Sequence, residues 1–333
     1  MHTDWHQKPY YSLDAWCKNT LHHKCYKIAL NAHMTCPNRD GSVDTRGCIF
    51  CSAGGSGDFA VDIRGKSIEE QLMEGLARFR DKFSLCDVTV PCLIAYFQAY
   101  TNTYAPIPYL REVFTEALEC PAVCGISIAT RPDCLPSDVL DLLSELEERY
   151  PGKFIWVELG LQTIRESTAQ WIRRGYPLFC FTESFQALKA RGIPVIVHLI
   201  LGLPGERLDD VLDGIHFLNS LMPFGVKLQL LHYLKNTDLG NLYLASETTS
   251  GTDRVVAMNV LEKEEYITWV IQCIRHLSPE IVLHRITGDG PRDLLLAPLW
   301  SLDKRDVLNS IHRQMKQLSA CQGDYLEPYQ KEY

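Results

Sequence analysis

No run of apolar residues in the 333-residue sequence is long enough to cross a bilayer, which takes about 20 in a row, so a chain threaded through lipid as an apolar helix is excluded. The first residues, MHTDWHQKPYYSLD, lack the basic-then-apolar order of a secretory leader, and the expected compartment is the cytoplasm. Positive charge is not in excess either. With 33 Lys and Arg against 41 Asp and Glu the net charge is −8, which argues against a surface coated for nucleic acid while leaving room for a local basic patch. No internal repeat, low-complexity tract or obvious linker interrupts the chain. A single domain over residues 1–333 is therefore expected, with a core over about 24–235 and a C-terminal helical extension over about 255–320.

Cysteine, by contrast, is plentiful. Thirteen are present, an odd number, and in a reducing compartment such a surplus points to metal or cluster ligation and buried thiols rather than disulfide staples. Hydrophobic residues make up 46% of the chain, enough for a sizeable core. Apolar, β-rich runs fall at Cys25–Leu30, Cys92–Phe97, Gly125–Ala129, Phe154–Leu159, Val195–Leu201 and Val226–Leu231. Amphipathic stretches alternate with them, at Ile68–Phe83, Tyr109–Leu118, Ser137–Arg149, Ser167–Arg174, Thr182–Arg191 and Leu208–Leu221. Strands nearly continuous in apolar residues and separated by helices predict an α/β fold with a helix-covered parallel sheet. About six βα units are fewer than a full barrel's eight, which predicts a six-stranded partial barrel or an open doubly wound sheet. In either, functional groups belong just after the C-terminal ends of the strands. Beyond about Leu261 the pattern predicts a helix over Leu261–Leu277, a strand at Ile281–Arg285 and a last helix near Asp303–Leu318.

The sharpest motif follows the first strand, where Cys36 is separated by a Gly-rich, charged loop from the CxxC pair Cys48 and Cys51. That spacing lets two sulfurs reach one centre and the loop fold a third onto it. Three thiolates on a four-iron cluster leave one iron open to an external chelator such as the amino acid moiety of S-adenosylmethionine (SAM). The same residues with His33 could instead make a closed Cys3His zinc site. Cys120, Cys124 and Cys134 read as scattered thiols rather than an auxiliary cluster, so one cluster is expected.

CPNRDG and GCIFC, then YFQAYTNTYAP, ATRPDCLP, WVELGLQT, RRGY and HLILGLPGE in that order resemble the YhcC/YtqA-like radical SAM proteins, relatives of the radical SAM domain of the Elongator catalytic subunit. The resemblance runs from about Lys8 to Lys316. It implies a partial (β/α)6 TIM-type barrel with short N- and C-terminal extensions, a 4Fe-4S cluster, and SAM as cofactor or cosubstrate. On it, Cys36, Cys48 and Cys51 match the cluster ligands, and Phe50 the aromatic position beside adenine. The long cysteine spacing departs from the common short form. Gln98 and Tyr100 stand where many relatives carry a GGE-type motif for the SAM amino group. No carboxylate is present there, so backbone carbonyls and the Gln98 side chain are the expected acceptors. Thr130, Arg131, Glu158 and Gln162 are placed for SAM ribose or carboxylate contacts, with Arg131 also readable as a turn charge. Arg174 resembles the arginine that clamps the SAM carboxylate, with Arg173 as its alternative. The glycine turn around Leu203 would let backbone approach adenine.

The implied chemistry is reductive cleavage of SAM to a 5'-deoxyadenosyl radical, fed by a reducing partner such as flavodoxin or ferredoxin. Candidates for substrate contact are His232, Tyr233 and Lys235 after the sixth strand, and His284, Arg285, Thr287 and Asp289 in HRITGDG. The resemblance suggests tRNA as substrate, at a wobble-uridine side chain, with shortening of a carboxymethylaminomethyl group as the more specific reaction. Lys8, Lys18, His22, His23, Lys24 and Lys27, with Tyr10, Tyr11, Trp16 and Tyr26, could contact a phosphate backbone and a splayed base, or simply form a solvated surface. A small metabolite or a protein as substrate, and a non-catalytic zinc-containing RNA-binding or scaffold protein, are the alternatives.

Overall fold

The apolar runs do become parallel strands. The computed structural model describes residues 4–55, 57–58, 66–78, 92–248, 258, 260–288 and 290–326. By internal contacts the chain divides into two compact units, one of Leu21–Gly160 with Gly175–Ile196, the other of Met1–Thr20, Leu161–Arg174 and Val197–Tyr333.

In the first of these, β1 (Cys25–Leu30), β2 (Cys92–Phe97) and β3 (Val123–Thr130) lie side by side with most of β4 (Phe154–Gln162). All three pairings are parallel, running from Cys25 opposite Cys92 to Leu30 opposite Phe97, and from Gly125 opposite Phe154 to Thr130 opposite Leu159. The β2–β3 ladder slips between Leu93 and Ile94, so Cys124 sits in a bulge. Leu93, Ile94, Ala95, Phe97, Ile126, Ile128, Ile155 and Val157 are all buried, as expected of a parallel sheet shielded from water on both faces. Gly125 carries no Cβ, and the Phe154 ring fills that space and stacks on Trp156 with centroids 3.9 Å apart.

Helices α2 (Ile68–Ala77), α3 (Ile107–Glu119), α4 (Ser137–Arg149) and α6 (Leu178–Ala190) belong to the same unit. Ser67 opens α2 with a reciprocal capping box to Glu70, satisfying two backbone donors that a helix start leaves orphaned. Pro106, Pro136 and Pro177 stand at the N-caps of the other three, where a missing N–H costs nothing. Phe114 of α3 meets Phe97 edge-on at 5.0 Å, fixing that helix over the sheet. The amphipathic pattern expected to reach Phe83 is helical to Ala77, with Arg78 as its cap; its remainder lies outside the described residues.

The second unit holds α1 (Leu13–Leu21), α5 (Glu166–Trp171), β5 (Val195–Leu201) apart from its first two residues, α7 (Leu208–Leu221), β6 (Gly225–Leu230), α8 (Asp238–Thr248), α9 (Lys263–His276), β8 (Val282–Arg285) and α10 (Lys304–Gln317). β7 (Tyr233–Leu234) pairs antiparallel with β9 (Leu295–Ala297). The sheet order β1-β2-β3-β4-β5-β6-β8 has seven strands, not the six expected. The seventh is the strand expected at Ile281–Arg285 within the C-terminal extension, which joins the sheet because Val282 and Leu283 are buried against Gly225 and Val226 of β6. The outer side of β8 is covered in turn. Leu283 N–H donates to Tyr11 O at 2.8 Å, Ser12 makes an isolated bridge to Leu283, and the Gln322 amide joins Tyr11 N, Ser278 O and Ile281 O at 2.7 to 2.8 Å.

Candidate active site

A sharp turn starts the cysteine loop beyond β1, since the N–H groups of Arg39 and Asp40 both donate to Cys36 O, at 2.7 and 3.2 Å. Val43 N–H reaches Pro37 O at 2.8 Å and Gly47 N–H reaches Asn38 O at 2.7 Å, so the long spacing folds back and brings Cys48 toward Cys36. Gly47 has φ +77, and a Cβ there would press on the Arg39 side chain. Arg39 Nη2 in turn donates to Cys51 O at 2.9 Å and Ser52 O at 2.6 Å, while Asn38 Nδ2 donates to Cys48 Sγ at 3.4 Å. Burial, and then the neighbouring Cys51, push the Cys48 thiol up to about 12, against the pull of Arg131 and Asn38.

These residues suit a cluster better than a single ion. Among the described residues, Cys36, Cys48 and Cys51 do not bring their three sulfurs within 4.8 Å of one another, the span of a mononuclear ligand set. His33 is exposed, at φ 54, and its N–H is bonded to Asn31 Oδ1 at 2.9 Å. The closed Cys3His zinc site is therefore not assembled. Three thiols held apart on one loop, with the cations of Arg39 and Arg131 felt at the sulfurs, match a cluster whose thiolates each bind a different iron.

Around this loop stand the other residues of the first unit. Tyr100, at φ 62, takes its N–H to Gly55 O at 2.7 Å and its hydroxyl to Ala53 O at 2.5 Å, and its ring lies 5.8 Å from the Arg39 guanidinium. Through these contacts it clamps the loop. Gln98 and Phe50 are half-buried. The Thr130 hydroxyl shares a 2.6 Å hydrogen bond with Thr103. Arg131 is buried, forked onto Asp133 at 2.9 and 2.6 Å, and lies 4.9 Å above the Tyr176 ring. An open cavity of 530 Å³ is lined by Thr103, Tyr104, Pro106, Asp133, Cys134 and Pro136, among others.

Sequence reading missed several supports. Gly175, at φ +83, has Asn38 Oδ1 and the Arg131 guanidinium where a Cβ would stand, so the RRGY motif supplies close approach through its glycine. Its tyrosine, Tyr176, donates to Gly160 O at 2.5 Å. Asn102 stitches the ends of β2 and β3 together through Phe97 O and Ala129 O, at 3.1 and 3.0 Å.

Three groups of expected contact residues have partners within the protein. Glu158, placed for ribose contact, is wholly buried and its Oε1 accepts from Lys27 Nζ at 2.6 Å and Ser127 Oγ at 2.6 Å; a carboxylate inside a sheet requires such pairing. Arg174, placed as a carboxylate clamp, is 1% exposed and donates Nη1 to Leu161 O and Thr163 O at 3.0 and 2.7 Å. It satisfies carbonyls at the end of β4, and Arg173 pairs with Asp238 at 2.6 Å. The aromatic and basic N-terminal patch is largely consumed by structure. Tyr10 is buried and bonded to His312 at 2.9 Å, Trp16 packs on Phe224 at 5.3 Å, Lys18 pairs with Asp14 at 2.9 Å and Lys27 with Glu158. His22, His23 and Lys24 are exposed, at the N-terminal end of β1, away from the cysteine loop.

In the second unit, Gln162 stands at the end of β4 with φ 65 and a buried Oε1 lacking a hydrogen-bond partner among the described residues. Leu203 is buried in the glycine turn, its carbonyl accepting from Glu206 N at 3.0 Å. Glu206, 3% exposed, accepts from Thr163 Oγ1 at 2.5 Å. His232 packs against Gly288 and Gly290, whose missing Cβ atoms leave room for the imidazole, so the segment after β6 does meet the HRITGDG loop. Tyr233 is 1% exposed, with burial raising its hydroxyl pKa. Lys235 is exposed and donates to Asp293 O at 3.0 Å, and Thr287 is buried. His284 and Arg285 are the last two residues of β8 itself. β8 pairs with Gly225–Lys227, the beginning of β6, and His284 packs on Phe224 at 5.4 Å, at the end of the strands opposite to where catalytic groups gather. Asp289 lies outside the described residues.

Among the described residues, no helix is long and apolar enough to cross a membrane. The sequence matches the Radical SAM superfamily over residues 45–218 and the Radical_SAM C-terminal domain over residues 223–317. It is 39% identical to YtqA of Bacillus subtilis over 326 residues, covering 98% of this chain and 95% of that one. Protein YhcC of Escherichia coli is 36% identical over 305 residues, covering 91% of each. The solved structure of the archaeal Methanocaldococcus infernus Elp3 superposes with a TM-score of 0.63 at 15% identity. It covers 90% of this chain but 64%, under two thirds, of that one, and shares the fold. With a parallel α/β sheet, a three-cysteine loop after its first strand and relatives matched over nearly their whole length, the chain belongs to the radical SAM superfamily, whose cofactors are a 4Fe-4S cluster and SAM.

Proposed function

We propose that this chain is a radical SAM enzyme acting on tRNA, at the side chain of a wobble uridine, with Cys36, Cys48 and Cys51 holding its one four-iron cluster. The observation that carries the enzymatic reading is the folded-back cysteine loop, with three thiols too far apart for one ion and the cation of Arg39 pinned beneath Cys51. Held by Cys36, Cys48 and Cys51, a bound cluster would supply the one-electron chemistry for reductive cleavage of SAM. The protein's part is positional. Arg39 and Asn38 hold the thiolates in place, Tyr100 locks the stretch after Cys51, and Thr130 and Arg131 present polar groups beyond β3. Gln98, a half-buried amide, would accept from the SAM amino group, and Phe50 would offer an aromatic face for adenine. The tRNA reading rests on likeness to the Elongator subunit.

Anaerobic reconstitution with iron and sulfide, then reduction with SAM present, is expected to yield 5'-deoxyadenosine from the natural chain and none from Cys48→Ala. A colourless, zinc-loaded protein that leaves SAM intact would overturn the enzymatic reading. Nucleoside analysis of tRNA incubated with the reduced enzyme then tests the substrate: an altered wobble uridine is expected. Unchanged tRNA, alongside SAM cleavage, would refute that half alone.

A further inference from the structure

A second group of thiols gathers at the opposite end of the same strands. Cys25 is the first residue of β1 and Cys92 the first of β2, directly paired in register, with their sulfurs 3.1 Å apart. Cys124 occupies the β2–β3 bulge, where the ladder slips by a residue, and bulges re-aim side chains. Its thiol lies 3.1 Å from Leu93 O. The three sulfurs all fall within 4.8 Å of one another, the one such ligand group of three among the described residues, and each residue is half-buried. We propose that Cys25, Cys92 and Cys124 form a mononuclear site for a thiophilic divalent cation, Zn²⁺ by its chemistry, with the exposed His23 imidazole, which lies outside this group in the structure, swinging in as fourth ligand.

Dimensions decide between a single ion and a second cluster. Zinc–sulfur bonds of about 2.3 Å in a tetrahedron place sulfurs about 3.8 Å apart, a spacing that this trio reaches with sub-ångström shifts. A cubane binds each thiolate to a different iron and needs a wider frame. Soft thiolates select zinc over the hard cations. His23 is exposed two residues before Cys25, and its charge is felt at the Cys92 sulfur. Binding would release the thiol protons to solvent. The ion would tie together the starts of three strands that the chain delivers from residues 25, 92 and 124.

The full-length chain with Cys36, Cys48 and Cys51 all changed to Ala, reduced and kept free of oxygen, separates this site from the cluster loop. Titrated with Co²⁺ as the probe, it is expected to show intense thiolate-to-metal charge transfer, displaced by a single Zn²⁺ per chain. Adding Cys92→Ser or, independently, Cys124→Ser is expected to abolish that band. In the otherwise natural chain, Cys92→Ser is expected to leave iron–sulfur reconstitution unchanged, which also reports that the variant folds. His23→Ala is expected to weaken zinc binding and keep the charge-transfer band. Failure of the loop-free chain to bind Co²⁺ or Zn²⁺ would overturn the proposal. So would a band that survives both serine substitutions, or a Cys25–Cys92 disulfide found by mass spectrometry in protein purified without oxygen.

Discussion

Arg39 closes the cysteine loop through backbone, not through sulfur. Its Nη2 donates to two successive carbonyls, of Cys51 and Ser52, and hydrogen bonds from a charged donor are worth about 1.5–3 kcal/mol each. Arg39→Ala is therefore expected to lower the iron and sulfide retained after reconstitution, with Arg39→Lys only partly restoring it, because an ammonium lacks the planar fork. Gly175 gives a sharper test. At φ +83 an L side chain costs about 1–2 kcal/mol, and a Cβ there would also meet Asn38 Oδ1 and the Arg131 guanidinium. Gly175→Ala is expected to lower both stability in urea and cluster occupancy, since Asn38 also supports Cys48. Residue-level legibility follows the same line. The three cysteines proposed to hold the cluster stood out by spacing, whereas Arg39 and Asn38, inside the same motif, act by reaching backbone and a thiol, which no spacing reveals.

At the scale of elements, the buried Lys27–Glu158 pair spans β1 and β4, with Ser127 of β3 between them and Lys27 lying 4.8 Å from the Tyr96 ring of β2. Breaking one side of such a pair strands a buried charge, at about 3–5 kcal/mol. Glu158→Leu is expected to cost that much in equilibrium unfolding, and the double change Lys27→Met with Glu158→Leu much less. The turn after β5 holds a different carboxylate. Burial raises the Glu206 pKa above its ordinary 4.5, against the hydrogen bonds of Thr163 and Thr168 and the charge of Arg165. The folded state then binds the proton more tightly than the unfolded one, so this group's contribution falls as pH rises from about 4.5 through the raised pKa. Glu206→Gln, which can still accept from Thr163, is expected to flatten the pH dependence of stability in that window and to be more stable than the natural chain above it. Elements were legible where one pattern dominated: β1, β2, β5, α4 and α7 carry the bounds expected from their apolar runs. α8 escaped because its start is set by Thr237, which accepts from Gly240 N at 2.9 Å, and not by any clear amphipathic stripe. The Cys25–Cys92 contact joins residues 67 apart, and only strand register brings them together.

For the molecule as a whole, the sheet draws on residues outside the expected core of about 24–235. β8 supplies the strand beside β6, and segments on both sides of that expected core seal it: Tyr11 and Ser12 from one, Gln322 from the other. A chain ended after Lys235 leaves the β6 edge and the apolar face of α7 uncovered, and open edges template pairing between chains. It is expected to sediment as aggregate, not as a smaller folded protein. Gln322→Ala removes three hydrogen bonds and leaves buried backbone groups unsatisfied, at a cost of roughly 2–4 kcal/mol, visible as a lowered Tm. The fold class could be read from alternating strands and helices, but β8 is only four residues long, and its place in the sheet is a tertiary outcome. Its lateness in the chain carries a biological cost. A ribosome delivers β1 to β6 well before β8 and Gln322 emerge, so every nascent copy passes through an interval in which its sheet ends in a bare strand. Pauses in translation within that interval would be read out as lost yield, even though every residue of the cluster loop has long been made.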